Sequence, residues 1–192
     1  MRRILQNRLA LSTVVTTLII LVISVLLAGV VSYFAINVTS TRVQEESLHI
    51  TKHHVWHNGS SRALASLMII NAGGRDIVID KISVRGQECE WNSSTTNKFV
   101  NYVRTTETIS DDLDYVPEFA RDGTETNVTI DEADYGFVVA QDDLILRSGW
   151  TMLIYIENPD SISINDIGLT VSIEIFTAQA MYYRESNVQA VT

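Results

Sequence analysis

The four histidines of this chain lie close together, in a spacing that could bind a metal ion. They are His49, His53, His54 and His57. If this stretch is helical, Glu45, His49, His53 and His57 recur every four residues and share one face of the helix. Imidazole and carboxylate groups that converge in this way bind Zn²⁺ or Cu²⁺. His49, His53 and His57 are therefore a candidate metal site, and the competing interpretation is a solvated polar face, uncharged above pH ~6.5.

An acidic segment near the middle of the chain offers oxygen ligands for Ca²⁺. It contains Asp111, Asp112 and Asp114, and Glu118 and Asp122 follow. The spacing does not match an EF-hand loop, which alternates acidic positions around a central glycine and ends on a glutamate. A solvated acidic loop is the favoured interpretation, and Ca²⁺ binding is the alternative.

The residue types that enzymes use most often do not form a catalytic pattern here. The single cysteine, Cys89, cannot form an internal disulfide, and no histidine lies near it in sequence. A blue-copper centre is therefore rejected, because it needs two histidines beside the cysteine. The sequence contains no Gly-x-Ser-x-Gly elbow, no His-Glu-x-x-His motif and no phosphate-binding glycine loop. We expect no enzymatic activity and no cofactor.

The element that dominates the sequence is an uncharged apolar segment near its N-terminus. No charged residue occurs from Leu9 to Thr41, and residues 11–36 are almost unbroken Leu, Ile, Val and Ala. About 20 helical residues cross a ~30 Å hydrocarbon core, and a bilayer forces such a segment to be helical. Residues 11–36 are therefore predicted to form a transmembrane helix. Three arginines in the basic leader, residues 1–10, place the N-terminus in the cytoplasm and the following domain outside.

The sequence after the leader is strongly acidic. The chain has 14 basic and 23 acidic residues, and three of the basic ones belong to residues 1–10. Eleven basic residues then face 23 acidic ones, which is a net charge of −12. Nucleic acid and anionic lipid surfaces are disfavoured as partners of the outer domain, because both would be repelled by this charge.

Asn-x-Ser/Thr sequons occur in the part of the chain that is predicted to lie outside the cell. They begin at Asn37, Asn58, Asn92 and Asn127. Asn37 directly follows the apolar segment and would sit at the membrane surface. Asn58, Asn92 and Asn127 lie in polar sequence and are the candidate N-glycosylation sites. The alternative interpretation is that they are plain polar loop residues.

A change of pattern follows the apolar segment. Residues 37–60 are predicted to be a helix extension or stalk, in which Gln44 and its acidic neighbours favour a helix as far as about His54. Residues 61–192 then show strand patterns. Residues 63–70 and 77–84 are predicted to form a β-hairpin, with a β-bulge at Asp80-Lys81 where the alternation shifts by one position.

The rest of the chain predicts a β-sandwich with a long insertion. Residues 86–143 are polar and acidic and are expected to be a partly ordered excursion with one or two strands. The expected strands of this region and the C-terminal part are residues 99–103, 137–140, 144–146, 151–157, 162–164, 169–176 and a last one containing Tyr182 and Tyr183, with a turn at Asn158-Pro159-Asp160. The predicted fold is a transmembrane helix followed by an all-β antiparallel, immunoglobulin-like sandwich of about seven to nine strands.

The N-terminal pattern resembles that of archaeal type IV pilin-like proteins, which include the archaellins and adhesion pilins. The resemblance rests on the leader ending in Arg8-Leu9-Ala10 and on Leu11-Ser12-Thr13-Val14-Val15, which opens the apolar helix. Residues 67–79, with Asn71-Ala72-Gly73-Gly74 between two apolar runs, are also similar to the first hairpin of such domains. The resemblance implies an archaellin-like outer domain.

Membership of that family implies processing and polymerisation. A prepilin-type peptidase would cut between Ala10 and Leu11, and assembly machinery would then transfer the subunit from the membrane into a homo-oligomeric filament for adhesion or motility. The helix that begins at Leu11 would form the filament core, and Val15, Leu18 and Gly29 would pack against neighbouring copies. Small side chains such as Gly29 permit close helix contact.

A second interpretation belongs to a different functional class. The chain would remain in the membrane as a permanently anchored, single-span protein whose β domain binds a surface ligand or a metal. The two interpretations differ in the mature N-terminus, which is Leu11 for a processed filament subunit and Met1 for an uncleaved anchor.

Overall fold

The computed structural model describes residues 2–43, 45–119, 125–159 and 162–191, with side chains of the N-terminal helix from 12 to 40. The chain divides into two compact units, Met1–Gln44 and Glu45–Thr192, which are described separately below.

The first unit is one long helix, α1, which spans Arg2–Val43. Its segment Ser12–Ser40 has 29 residues and a mean hydropathy of 3.0, so it is long and apolar enough to cross a membrane. The hydroxyls of Thr16, Thr17 and Ser24 donate to backbone carbonyls within the same helix. Because these polar side chains are satisfied internally, the helix is compatible with a dry environment. The predicted N-terminal apolar helix is confirmed.

The second unit is a β domain whose strands form two sheets. The strands are β1 Leu48–His57, β2 Ala63–Asn71, β3 Ile77–Val84, β4 Gln87–Glu88, β5 Asn92–Ser93, β6 Lys98–Thr105, β7 Thr126–Ile130, β8 Ala133–Val139, β9 Leu144–Leu146, β10 Thr151–Glu157, β11 Thr170–Thr177 and β12 Met181–Ala190, with a 3₁₀ helix, η1, at Ile164–Asp166. The first sheet has the order β1-β2-β10-β6-β8-β7, with β5 on β6. The second has the order β4-β3-β11-β12, with β9 on β3. A helix followed by a β-sandwich, the predicted fold class, is confirmed.

The two sheets are joined through β12, which makes the fold mixed and not purely antiparallel. β12 pairs with β11 in antiparallel orientation, and its C-terminal half pairs with β1 in parallel, in the register Val55↔Val188. The other strand pairs that the structure describes are antiparallel. The expectation of an all-antiparallel sandwich is corrected at this one junction.

The predicted helix extension to His54 is wrong. α1 ends at Val43, and β1 occupies Leu48–His57. Leu48 and Ile50 alternate into the core, and a bulge between Thr51 and His54, with Lys52 at φ 49°, re-aims the strand. Burial against β2 and β12 outweighs the weak helix preference of the preceding residues. The β domain therefore begins before residue 48 and not at residue 61.

The predicted hairpin of residues 63–70 and 77–84 is also wrong, although both strands exist. β2 pairs with β1 and β10, whereas β3 pairs with β4, β9 and β11. The connection between β2 and β3 crosses from one sheet to the other. At its start Asn71 is fully buried, and its Nδ2 donates to the carbonyls of Arg75 and Leu146. A Cβ at Gly73 would lie 2.7 Å from the Glu45 carbonyl oxygen, so this turn requires glycine.

The predicted bulge is confirmed. Phe176 pairs with Lys81 and Thr177 pairs with Ile79, which leaves Asp80 as the extra residue of β3.

The strand predicted at 162–164 is not formed, since η1 starts at Ile164. Of the predicted turn Asn158-Pro159-Asp160, Asp160 lies outside the described residues.

The first hydrophobic core lies between the two sheets. It contains Ile69 of β2, Ile79 of β3, Ile154 of β10 and Ile173 of β11, all fully buried. Because neighbouring side chains of a strand alternate between its faces, the other face of β2 and β10 must be covered by something else.

A second core covers that other face, and it is built from the segment predicted to be a polar excursion. Leu113 and Phe119 of the loop after β6, together with Phe137 of β8, pack on Leu153 and Tyr155 of β10. The ring centroids of Phe119 and Phe137 lie 5.4 and 5.2 Å from that of Tyr155. Within residues 86–143, the described part contains strands β4 to β8, and its apolar residues from Ile109 to Phe119 and from Ile130 to Phe137 cover this face of the sheet. The apolar residues scattered through this segment, such as Leu113 and Phe119, indicate a buried face. The prediction of a polar excursion gave them too little weight.

Candidate functional site

The surface of α1 is the most distinctive feature available for function. Large apolar side chains point outward on every side of the helix, and Val15 and Leu18 are 50% and 61% exposed within the helix unit. A Cβ placed on Gly29 would have no atom within 4 Å. The peptide bond between Ala10 and Leu11 lies within the helical backbone, while the side chains of both residues lie outside those described.

The small residues of α1 fall on one stripe. Ser24, Ala28 and Ser32 are four residues apart, so they lie on the same face, and Gly29 is adjacent to them. The Ser24 hydroxyl donates to the Ile20 carbonyl at 2.7 Å and so presents no unsatisfied polar group on this stripe. This geometry allows a second helix to approach closely.

The structure does not bring the candidate metal ligands His49, His53 and His57 together. They lie on β1, where eight residues of extended chain span roughly 26 Å, whereas a helix would place them within about 12 Å. His57 is buried and its Nδ1 accepts the Gly59 N–H at 3.1 Å. Within the described ranges no three His, Cys, Asp or Glu side chains converge on a metal position. The prediction that these three histidines share one face of a helix is therefore wrong.

The acidic segment is held by protein groups. The Lys52 ammonium donates to the carbonyls of Ser110 and Asp111, and the Asp131 carboxylate accepts the N–H groups of the same two residues. Asp112 contacts His54 Nε2 at 2.8 Å. These bonds anchor the start of the loop that covers the second core. Of the other predicted Ca²⁺ ligands, Asp122 lies outside the described residues.

The His54 contact extends an aromatic stack. The imidazole lies parallel to the Trp56 ring, with centroids 5.2 Å apart, and Tyr115 meets Trp56 edge-on at 6.0 Å.

Partial burial alone would raise the pKa of Asp112, but hydrogen bonds from His54 and from the Leu113 N–H outweigh it and hold that pKa below its usual range. A carboxylate with a lowered pKa stabilises the fold above about pH 3.9, and this contribution is lost as the pH falls through the folded pKa.

Asp112→Asn is expected to lower the free energy of unfolding by up to about 1 kcal/mol at pH 5, because a solvent-exposed ion pair contributes no more than that. The difference from the wild type should shrink as the pH falls through the lowered folded pKa of Asp112, because the wild-type carboxylate then becomes protonated. Thermal unfolding of the full chain in a neutral detergent measures both. Asp114→Asn, in the same loop, is the matched control and should show the smaller effect; equal effects of the two variants would contradict the His54–Asp112 contact.

The candidate glycosylation sites are at the surface of the β domain. Asn92 on β5 and Asn127 on β7 are exposed. Asn58 lies in the turn after β1, where its Oδ1 accepts the N–H groups of Ser60, Ser61 and Arg62. Its Oδ1 thus organises the turn, while a glycan would be attached to Nδ2. Occupancy of Asn58, Asn92 and Asn127 stays a prediction.

Sequence reasoning missed a buried charged cluster on the second-core face of the first sheet. Glu157 on β10 is 1% exposed, and its Oε2 accepts Arg62 Nη2 at 2.8 Å. Its Oε1 accepts Nδ2 of the buried Asn101 on β6 at 3.0 Å. Because side chains alternate along a strand, Glu157 lies on the same face of β10 as Tyr155. This alternation was the signal in the sequence that could have revealed the buried cluster.

Comparisons with known proteins do not place the chain in a family. No family profile matches it, and no curated protein matches its sequence. Among solved structures it is similar to a copper-bound PCuAC domain from PmoF2, at 12% identity and a TM-score of 0.33, covering 77% of this chain and 99% of that one. It is also similar to a family 123 glycoside hydrolase from Clostridium perfringens, at 9% identity and a TM-score of 0.35, covering 77% of this chain and 27% of that one. Likenesses this distant carry no functional conclusion.

Proposed function

We propose that this chain is a structural subunit of an archaeal type IV pilus or archaellum-like surface filament. It polymerises through α1, and its β domain coats the filament and serves adhesion or motility. The observation that carries the proposal is the segment Ser12–Ser40, which is apolar, uncharged and exposed on all faces. A helix that is apolar all round is stable only in lipid or among other helices of the same kind.

The length of this segment supports a role beyond anchoring. Its 29 residues extend about 44 Å, whereas about 20 residues cross a ~30 Å hydrocarbon core. A simple anchor needs no such excess. In a bundle of copies, the extra length adds apolar surface that neighbouring subunits bury, at about 25 cal/mol per Å² of area removed from water.

The β domain is compatible with the same assignment, because it has hydrophobic cores of its own. Both cores consist of residues from Leu48 onward. The pilin-like leader and helix sequence favour other copies of this chain as the partners of the apolar surface of α1.

The mature N-terminus tests the proposal. In material sheared from the cell surface, N-terminal sequencing or mass spectrometry is expected to find Leu11 as the first residue, because cleavage after Ala10 would release the helix from its basic leader. Replacing Ala10 by Trp should block processing and leave the precursor in the membrane fraction. An intact Met1 or Arg2 terminus in all surface material would favour the alternative, a permanently anchored binding module.

A further inference from the structure

A cavity of about 340 Å³ lies on the β domain, at the end of the first sheet that β6, β7 and β8 form. Its wall includes Tyr102, Arg104, Glu125, Arg147 and Trp150. This volume falls at the lower end of the ~300–1,000 Å³ that small-molecule sites occupy. Two of the chain's 14 basic residues thus line one cavity, in a sequence that has 23 acidic residues.

Strand register explains why these side chains meet. Tyr102 pairs with Ile154 and Arg104 pairs with Met152, so both point to the face of the first core. Arg147 and Trp150 come from the turn before β10, which is closed by the Trp150 N–H donating to the Arg147 carbonyl at 3.1 Å. Gly149 has φ 76° in this turn, a conformation that favours glycine.

Each guanidinium is positioned by an aromatic ring. Arg104 Cζ lies 5.5 Å from the Tyr102 ring centroid, and Arg147 Cζ lies 5.5 Å from that of Trp150. Arg104 Nη1 also donates to the Ile145 carbonyl at 3.2 Å. A guanidinium has five N–H donors in its plane, and contact with a ring engages only its face, so the N–H groups of Arg104 that do not bind Ile145, and those of Arg147, can bind oxygen atoms.

Among the described residues, no carboxylate forms an ion pair with Arg104 or Arg147. Across residues 45–119, 125–159 and 162–191, neither guanidinium lies within 4.0 Å of an acidic side chain. Glu125 lines the same cavity. Its Oε2 lies so close to Gly136 that a Cβ at position 136 would collide with it. The cavity thus offers two oxyanion-binding forks and one carboxylate that accepts hydroxyl groups.

We propose that this cavity binds an acidic saccharide. Arg104 and Arg147 bind the sugar carboxylate, because the planar guanidinium fork matches the two oxygens of that group. Glu125 accepts hydroxyls of the same sugar, which a bare inorganic anion does not carry. A neutral sugar would leave both guanidiniums without an anionic partner. Binding does not depend on filament assembly, because every residue involved lies in the unit Glu45–Thr192.

The test measures binding of a galacturonate tetrasaccharide to the full chain in a polyoxyethylene detergent, by isothermal titration calorimetry. The wild type is expected to bind it, and to bind maltotetraose and inorganic phosphate at least tenfold more weakly. Arg104→Gln and Arg147→Gln should each raise the Kd about tenfold, since each removes a charge-assisted contact. Arg104→Lys, which keeps the charge and loses the fork, should fall between the wild type and Arg104→Gln.

Arg75→Gln is the matched control. Arg75 is exposed outside the cavity, so its substitution removes the same charge and should leave the Kd within about twofold. Near-ultraviolet circular dichroism confirms that each variant is folded. The proposal is overturned if the tetragalacturonate does not bind, if phosphate binds as tightly, or if Arg75→Gln weakens binding as much as the cavity variants do.

Discussion

Gly29→Asp is expected to abolish filament formation while leaving the chain in the membrane. The free helix can accept the aspartate without a steric clash, because a Cβ at Gly29 meets no atom within 4 Å. The effect must therefore come from what surrounds α1 in the assembly. A carboxylate in a dry helix bundle costs several kcal/mol, and in a filament every subunit would carry this cost.

Gly29→Asn and Thr95→Asp separate charge from size and position. Asparagine has nearly the shape of aspartate without its charge, so Gly29→Asn should assemble better than Gly29→Asp. Thr95 is exposed in the loop after β5 and lies outside the Asn92 sequon, so a new carboxylate there is solvated and should leave filament yield unchanged. Filaments are counted by electron microscopy of sheared material, and membrane fractionation confirms insertion. If Gly29→Asp inserts and still yields wild-type numbers of filaments, α1 does not pack as proposed.

Arg62→Met is expected to destabilise the β domain by about 3–5 kcal/mol. The substitution removes the guanidinium that donates to the buried Glu157 carboxylate, and removing one partner of a buried ion pair has this magnitude. The Glu157 side chain is 0% exposed and that of Arg62 16%, so water cannot replace the lost contact readily. The bond from Asn101 to Glu157 Oε1 remains in the variant. Thermal unfolding of the full chain in a neutral detergent measures the loss.

A double variant and a surface control identify the cause. Arg62→Met combined with Glu157→Gln should recover much of the lost stability, because the buried charge is gone and the new side-chain amide still offers an oxygen to Asn101. Lys81→Met should cost less than about 1 kcal/mol, since Lys81 and Glu88 form a looser pair at 3.9 Å with 36% and 68% of their side chains exposed. A cost for Arg62→Met as small as that of Lys81→Met would show that the buried pair contributes little.

Some of these features are readable from sequence because they depend on local pattern. Residues 11–36 are apolar at almost every position, so no soluble fold suits them better than a helix in an apolar environment. The alternation of Val171, Ile173 and Ile175 predicts β11, and these three side chains are indeed buried in the first core. The phase shift after Ile79 likewise predicts the bulge at Asp80. In each case one element's own periodicity carries the information.

Tertiary structure decided the rest, because strand pairing and burial depend on residues far apart in the chain. β1 is a strand because β2 and β12 lie beside it, and this pairing separates the histidines that a helix would have aligned. β2 and β3 belong to different sheets because β10 and β11, about 80 to 100 residues later, pair with them. The ion pair of Arg62 with Glu157 joins residues that are 95 positions apart. The cavity brings together Arg104 and Arg147, which are 43 positions apart. Such contacts have no local periodicity, and only the packed fold brings their partners together.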